Sequence, residues 1–193
     1  MLSERLQLKI YLEPSEHFEL EALIPVFHRF IRDQVLKELM IDVVDYSHVP
    51  NGPGVVLIGH AADYYVGALD GALGLVYSCK RAAPEPTARL EDALRRLVNV
   101  ARLLEQESTV KLRFRSDELS LRLTDRLNAP NDDASYAAAK SEVEQLFARV
   151  YSGATVSVER LVEPRGPLGL RAKSSASPAL EALLEKLGGP PTS

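Results

Sequence analysis

A chain of 193 residues, 46% hydrophobic and 26% charged, is long enough to bury a core and too apolar to remain disordered. A net charge of −4 gives no general pull toward nucleic acid or anionic membranes. The single cysteine, Cys79, excludes an internal disulfide and a multi-thiolate zinc centre. The opening residues, MLSERLQLKIYLE, carry no secretory pattern and no run is long and apolar enough for a membrane helix, so the expected location is the cytoplasm.

The stretch LQLKIYLE alternates, with Leu6, Leu8, Ile10 and Leu12 on one face and Gln7, Lys9 and Tyr11 on the other, as in a half-buried strand. Leu20, Leu23, Ile24, Phe27, Ile31 and Val35 then recur at helical spacing, which predicts a helix to about residue 37, with Pro25 near its start or kinking it. LMIDVVDY reads as a strand, PNGP as a turn, and GVVLIG as a strand covered on both faces. The next segment, YYVGALDGALGLVYSCK, reads as a hairpin turning at Asp70-Gly71.

RAAPEPT is a proline-rich connector. A helix follows, capped by Thr87, with Leu90, Leu94, Leu97, Ala101 and Leu104 on its buried face. VKLRFR and ELSLRL alternate on either side of Ser116-Asp117, which predicts a second hairpin. Asn131 or Asp132 caps a helix carrying Tyr136, Val143, Leu146, Phe147 and Val150. Two strands, ATVSVERL and LGLRAK, precede a last helix with Ser177 as cap, Pro178 in its first turn and Gly188-Gly189 as its stop.

Paired strands between helices predict an α+β fold: a largely antiparallel (mixed) sheet with helices packed on one face, and two similar α+β halves as one arrangement it admits. The expected division is 1–83, a β-α-β-β-β-β half; 84–189, an α-β-β-α-β-β-α half packed on it as one globular unit; and 190–193, a frayed tail.

Two constellations carry candidate chemistry. Asp45, His48, His60, Asp63 and Tyr64 stand near strand ends, where carboxylates and imidazoles can bind a small ligand or run acid–base chemistry if the fold gathers them. Lys111, Arg113, Arg115 and Arg122, with Arg171 and Lys173, fall on one face by strand alternation and form a candidate anion site for an acidic partner or RNA phosphates. Phe114 points away from that row, so the aromatic interleaving of an RNA-binding sheet is missing and nucleic acid is disfavoured.

No phosphate-cradling glycine loop, paired-histidine motif or nucleophile elbow occurs. Cys79 lies in an apolar strand with no neighbouring base, and reads as a small buried hydrophobe. No residue is assigned a catalytic role, no metal site or cofactor is expected, and the leading expectation is a non-catalytic binding or assembly module. The expected partner is another protein or a second copy of the chain.

Overall fold

The computed structural model describes residues 3–14, 18–50, 52–68, 71–81, 88–162 and 165–191. Eight strands form one sheet in the order β2-β3-β4-β5-β1-β6-β8-β7, every neighbouring pair antiparallel. These are β1 (Leu6–Leu12), β2 (Met40–Tyr46), β3 (Gly54–Gly59), β4 (Ala62–Gly67), β5 (Gly74–Cys79), β6 (Phe114–Leu123), β7 (Val156–Leu161) and β8 (Leu168–Ser174). Four helices accompany them: α1 (Leu23–Arg32), α2 (Arg89–Glu105), α3 (Asp133–Val150) and α4 (Leu180–Lys186). The fold is α+β.

Alternation decides which face the helices cover. Leu6, Leu8 and Ile10 of β1, Leu119, Leu121 and Leu123 of β6, and Leu168, Leu170 and Ala172 of β8 are buried together with the apolar stripes of all four helices. The α2 helix lies over β1 and β5 at the sheet centre, α1 backs β2 and β3, α3 backs β7 and β8, and α4 packs on α2. Because β1 pairs with both β5 and β6, the sheet runs unbroken across the two predicted halves.

Several local readings change. The first helix ends at Arg32, not near 37: Gln34 takes a φ of 49°, and the chain runs irregularly to β2. Pro25 is the third residue of α1, where a missing N–H breaks no helical bond. The last helix begins at Leu180 with Ala179 as its cap; the Ser177 hydroxyl instead meets the Ser116 hydroxyl at 3.0 Å. Gly188 and Gly189 do end it, at φ values of 87° and 84°. Asp70 and Thr87 lie outside the described residues.

The second predicted hairpin is absent. Residues 114–123 form one continuous strand, β6, with a wide bulge: Leu119 opposes Ile10, the next pair is Arg115 with Tyr11, and Ser116, Asp117 and Glu118 have no partner on β1. Three extra residues flip the side-chain parity, so Phe114 and Leu119 both reach the core. The bulge is pinned from the helix side. Ser116 Oγ donates to Pro178 O at 2.6 Å, and the Tyr151 hydroxyl donates to Ser116 O.

Candidate functional site

The first constellation does not assemble. Strands β2 and β3 are antiparallel, and Asp45 opposes Val55 at the start of β3, while His60 follows its end at Gly59. Five residue steps separate those levels, roughly 17 Å. Asp45 instead caps the turn after β2, where the Ser47 hydroxyl and backbone N–H hold its carboxyl below the usual range. His48 is exposed in that turn.

His60 and Asp63 do lie near each other, on either side of the β3–β4 turn, but each has its own cation. Arg81 Nη1 donates to His60 Nε2 at 2.6 Å, and Lys80 Nζ meets Asp63 Oδ1 at 2.6 Å. The backbone N–H of Gly59 also donates to Asp63, at 3.1 Å.

Tyr64 faces the other way. It is fully buried under the helices, its ring 5.3 Å from that of Tyr77, and its hydroxyl donates to Glu38. Arg96 of α2 holds the other Glu38 oxygen at 3.2 Å and Asp92 at 2.7 Å. Burial, reinforced by the Glu38 charge, pushes the Tyr64 phenol well above its ordinary range. This network ties the start of β2 to α2. Cys79 sits nearby, half-buried, donating to Arg81 O at 3.2 Å, with burial raising its thiol pKa.

The second constellation assembles in part. Lys111 and Arg113 precede β6 and leave the row: Lys111 has a φ of 47°, and Arg113 folds back onto Glu105 O and Leu112 O. Arg115, Arg122, Arg171 and Lys173 share the face opposite the helices, and among the described residues no helix packs on it. The register runs one row of side chains across the whole sheet on this face: Val44, Val56, Tyr65, Val76, Lys9, Ser120, Arg171 and Glu159. The row changes character midway, apolar from β2 to β5 and polar from β1 to β7.

Its apolar half buries Val56, Tyr65 and Val76 as a small cluster with Ile58 at its margin. Its polar half is organised around Tyr11 and Glu118. The Tyr11 ring has Lys9 Nζ 4.9 Å from its centre and the Arg171 guanidinium at 5.8 Å. The Lys9 stem lies flat against β5, where a Cβ on Gly74 would come within 2.5 Å of its Cε, and its ammonium donates to Ala72 O. Only glycine leaves that notch open.

Glu118, with a side chain 7% exposed, lies 2.8 Å from Arg115, 3.4 Å from Arg171 and 3.7 Å from Lys173. One buried carboxylate thus holds three cations at fixed spacing, two of which remain more than two-fifths exposed. Over β1, β6, β8 and β7 the face carries Lys9, Arg115, Arg122, Arg171 and Lys173 against Asp117, Glu118 and Glu159. Burial pushes the Tyr65 phenol up to about 12, with Arg122 pulling it back.

Tyr11 and Lys9 were on the correct side of the alternation from the start. Their role becomes visible only with β1 placed between β5 and β6. Among the described residues no group of three His, Cys, Asp or Glu side chains could hold a metal ion, and no helix is long and apolar enough to cross a membrane. Compared with known proteins, the chain matches no family model, no curated protein and no solved structure.

Proposed function

We propose that the protein is a non-catalytic binding module working through the cationic half of the helix-free sheet face, and that its partner is an acidic protein segment. The observation that carries this reading is the set of three cations, Arg115, Arg171 and Lys173, held around the buried Glu118 with Arg115 and Lys173 still 41% and 48% exposed. A segment lying across it sets carboxylates against Arg115, Arg171 and Lys173. On a chain of net charge −4, this local excess of cations favours an anionic partner and repels other basic surfaces. The tyrosine-flanked cations add contact area as well as charge. The cytoplasm, with its reducing conditions, suits the lone thiol of Cys79.

The test is a binding titration with a fluorescent glutamate-rich peptide, run beside poly(U) RNA and a lysine-rich control peptide. The glutamate-rich peptide is expected to bind where the lysine-rich one does not, to weaken with salt, and to lose roughly tenfold or more in affinity with Lys173→Glu. Equal binding of the glutamate-rich peptide by the wild type and the Lys173→Glu variant overturns it. Preferential binding of poly(U) overturns it in favour of a nucleic-acid surface.

A further inference from the structure

Of the eight large hydrophobic residues left exposed among the described residues, five flank or belong to β2: Val35, Leu39, Ile41, Tyr46 and Val49. Leu39 and Ile41 are the extreme cases on this edge, at 68% and 56% exposure. Leu39 lines a cleft of about 460 Å³ between the end of α1 and the start of β2, together with Phe30, Ile31, Leu36 and Met40 and the polar Gln34, Lys37 and Glu38.

Two details separate this patch from a neglected strand edge. Ile41 is the extra residue of a bulge: Met40 opposes Gly59 and Asp42 opposes Ile58, leaving Ile41 between them without a partner. The backbone beside it is satisfied locally, with Val43 N–H donating to Asp42 Oδ1 at 2.8 Å and Leu39 O accepting from His60 N–H at 2.8 Å. Open-ended strand addition is therefore discouraged here, while large apolar side chains are held outward.

The geometry points to an isologous dimer: a second copy of this chain docks on the patch, the segments 37–42 crossing antiparallel about a two-fold axis. The surface is self-complementary in both respects such an axis demands. It presents knobs, Leu39 and Ile41, beside a cleft whose lining includes Phe30, Ile31, Leu36 and Met40, so each copy's knobs meet the other's apolar lining. It also carries opposite charges at mirrored positions. Glu38 is turned inward onto Tyr64 and Arg96, which leaves Lys37 and Asp42 as the exposed charges of the segment. A two-fold axis between positions 39 and 40 exchanges 37 with 42, so each Lys37 meets the other copy's Asp42. A partner of one charge sign would satisfy only one of the two. This dimer leaves the helix-free sheet face accessible and does not depend on what that face binds.

Light scattering after size exclusion, over about 1 to about 100 µM, tests it. The expected mass is twice the 21.3 kDa of the chain. The L39D/I41D variant should give the single-chain mass with an unchanged circular-dichroism spectrum, since both sites are exposed, and a melting temperature that no longer rises with concentration. Lys37→Glu should raise the dimer dissociation constant roughly three- to tenfold, and so should Asp42→Asn, which removes the charge and keeps the Oδ1 acceptor for Val43 N–H. A wild-type chain that stays single at the highest concentration overturns the proposal. So does a dimer that survives L39D/I41D, or one whose dissociation constant neither charge change moves.

Discussion

The two edges of the sheet face the same problem and solve different halves of it. Strand β7 leaves no large apolar side chain exposed: Val158 is buried under α3, its exposed residues Ser157 and Glu159 are polar, and Arg160 is drawn to Asp133 at 2.7 Å and Asn131 at 2.8 Å, across the Tyr136 ring. Strand β2 hides its backbone, by the Ile41 bulge and the Asp42 cap, yet leaves Leu39 and Ile41 in solvent. Guarding an edge against strand addition and making it non-adhesive are thus separable tasks. A strand that performs the first without the second is suited to a closed, finite contact.

The comparison breaks most visibly if the helices behind the two edges are weakened. Phe27 of α1 is fully buried behind β2 and β3, so Phe27→Ala should cost about 3–5 kcal/mol in urea unfolding. Phe147 of α3 stacks on Tyr151 at 4.9 Å behind β7 and β8, and Phe147→Ala should cost a similar amount. A loss below about 1 kcal/mol for either would show that its edge is not held by the helix behind it.

The tie between β2 and the sheet centre is the next largest effect. Tyr64→Phe removes the hydroxyl that donates to the Glu38 carboxylate, leaving a nearly buried charge short of a donor, for about 1–3 kcal/mol. Among the described residues no polar link of that burial holds β7. Arg160→Ala, which releases a partly exposed ion pair, should cost no more than about 1 kcal/mol. Equal losses at the two sites would dissolve the distinction between a buried and a surface tie.

Alkaline pH probes the same asymmetry. Tyr64, Tyr65 and Tyr77 lie on β4 and β5, and burial raises all three phenols, Tyr65 to about 12. A folded-state pKa above the unfolded value of 10 means stability that is intact below about pH 10 and is lost as pH rises through the folded value. On the other side of the molecule, burial raises the Tyr151 phenol as well. Between about pH 10 and 12, urea midpoints should fall, and Tyr65→Phe should flatten that fall. An unchanged slope in the variant would remove Tyr65 as a contributor.

Much of this was legible in the chain, and the exceptions have physical causes. Alternation located β1 and placed Lys9 and Tyr11 opposite Leu8 and Ile10, and an unbroken apolar run located β3. The parity change between Phe114 and Leu119 was also visible, but a tight turn and an odd-numbered bulge produce the same change. Only the Ser116 contacts with Tyr151 and Pro178 decide for the bulge. The Asp45–His60 grouping failed because the end of one antiparallel strand lies beside the start of the next. The row through Tyr65, Lys9 and Arg171 depends on β1 entering between β5 and β6, a long-range pairing that no local pattern encodes. The exposure of Leu39 and Ile41 was hidden for the same reason, since an apolar strand announces burial until its place in the sheet is known.

The smallest change in stability should carry the sharpest test of the two edges. Asp42 is exposed, so Asp42→Ala should move the folding free energy by no more than about 0.5 kcal/mol. It removes the carboxylate that accepts from Val43 N–H, and with it the local protection of the β2 backbone. The freed donor then stands beside Leu39 and Ile41, and a neighbouring strand can complete its hydrogen bonds. Sedimentation should show species larger than a dimer, growing with concentration and absent from the wild type. Arg160→Ala is the matched control on β7: it costs at least as much stability, yet α3 still covers that strand and no large species should form. If both variants aggregate alike, loss of stability is the cause and the Asp42 cap guards nothing. If only Asp42→Ala does, one carboxylate separates a finite contact at β2 from an open one.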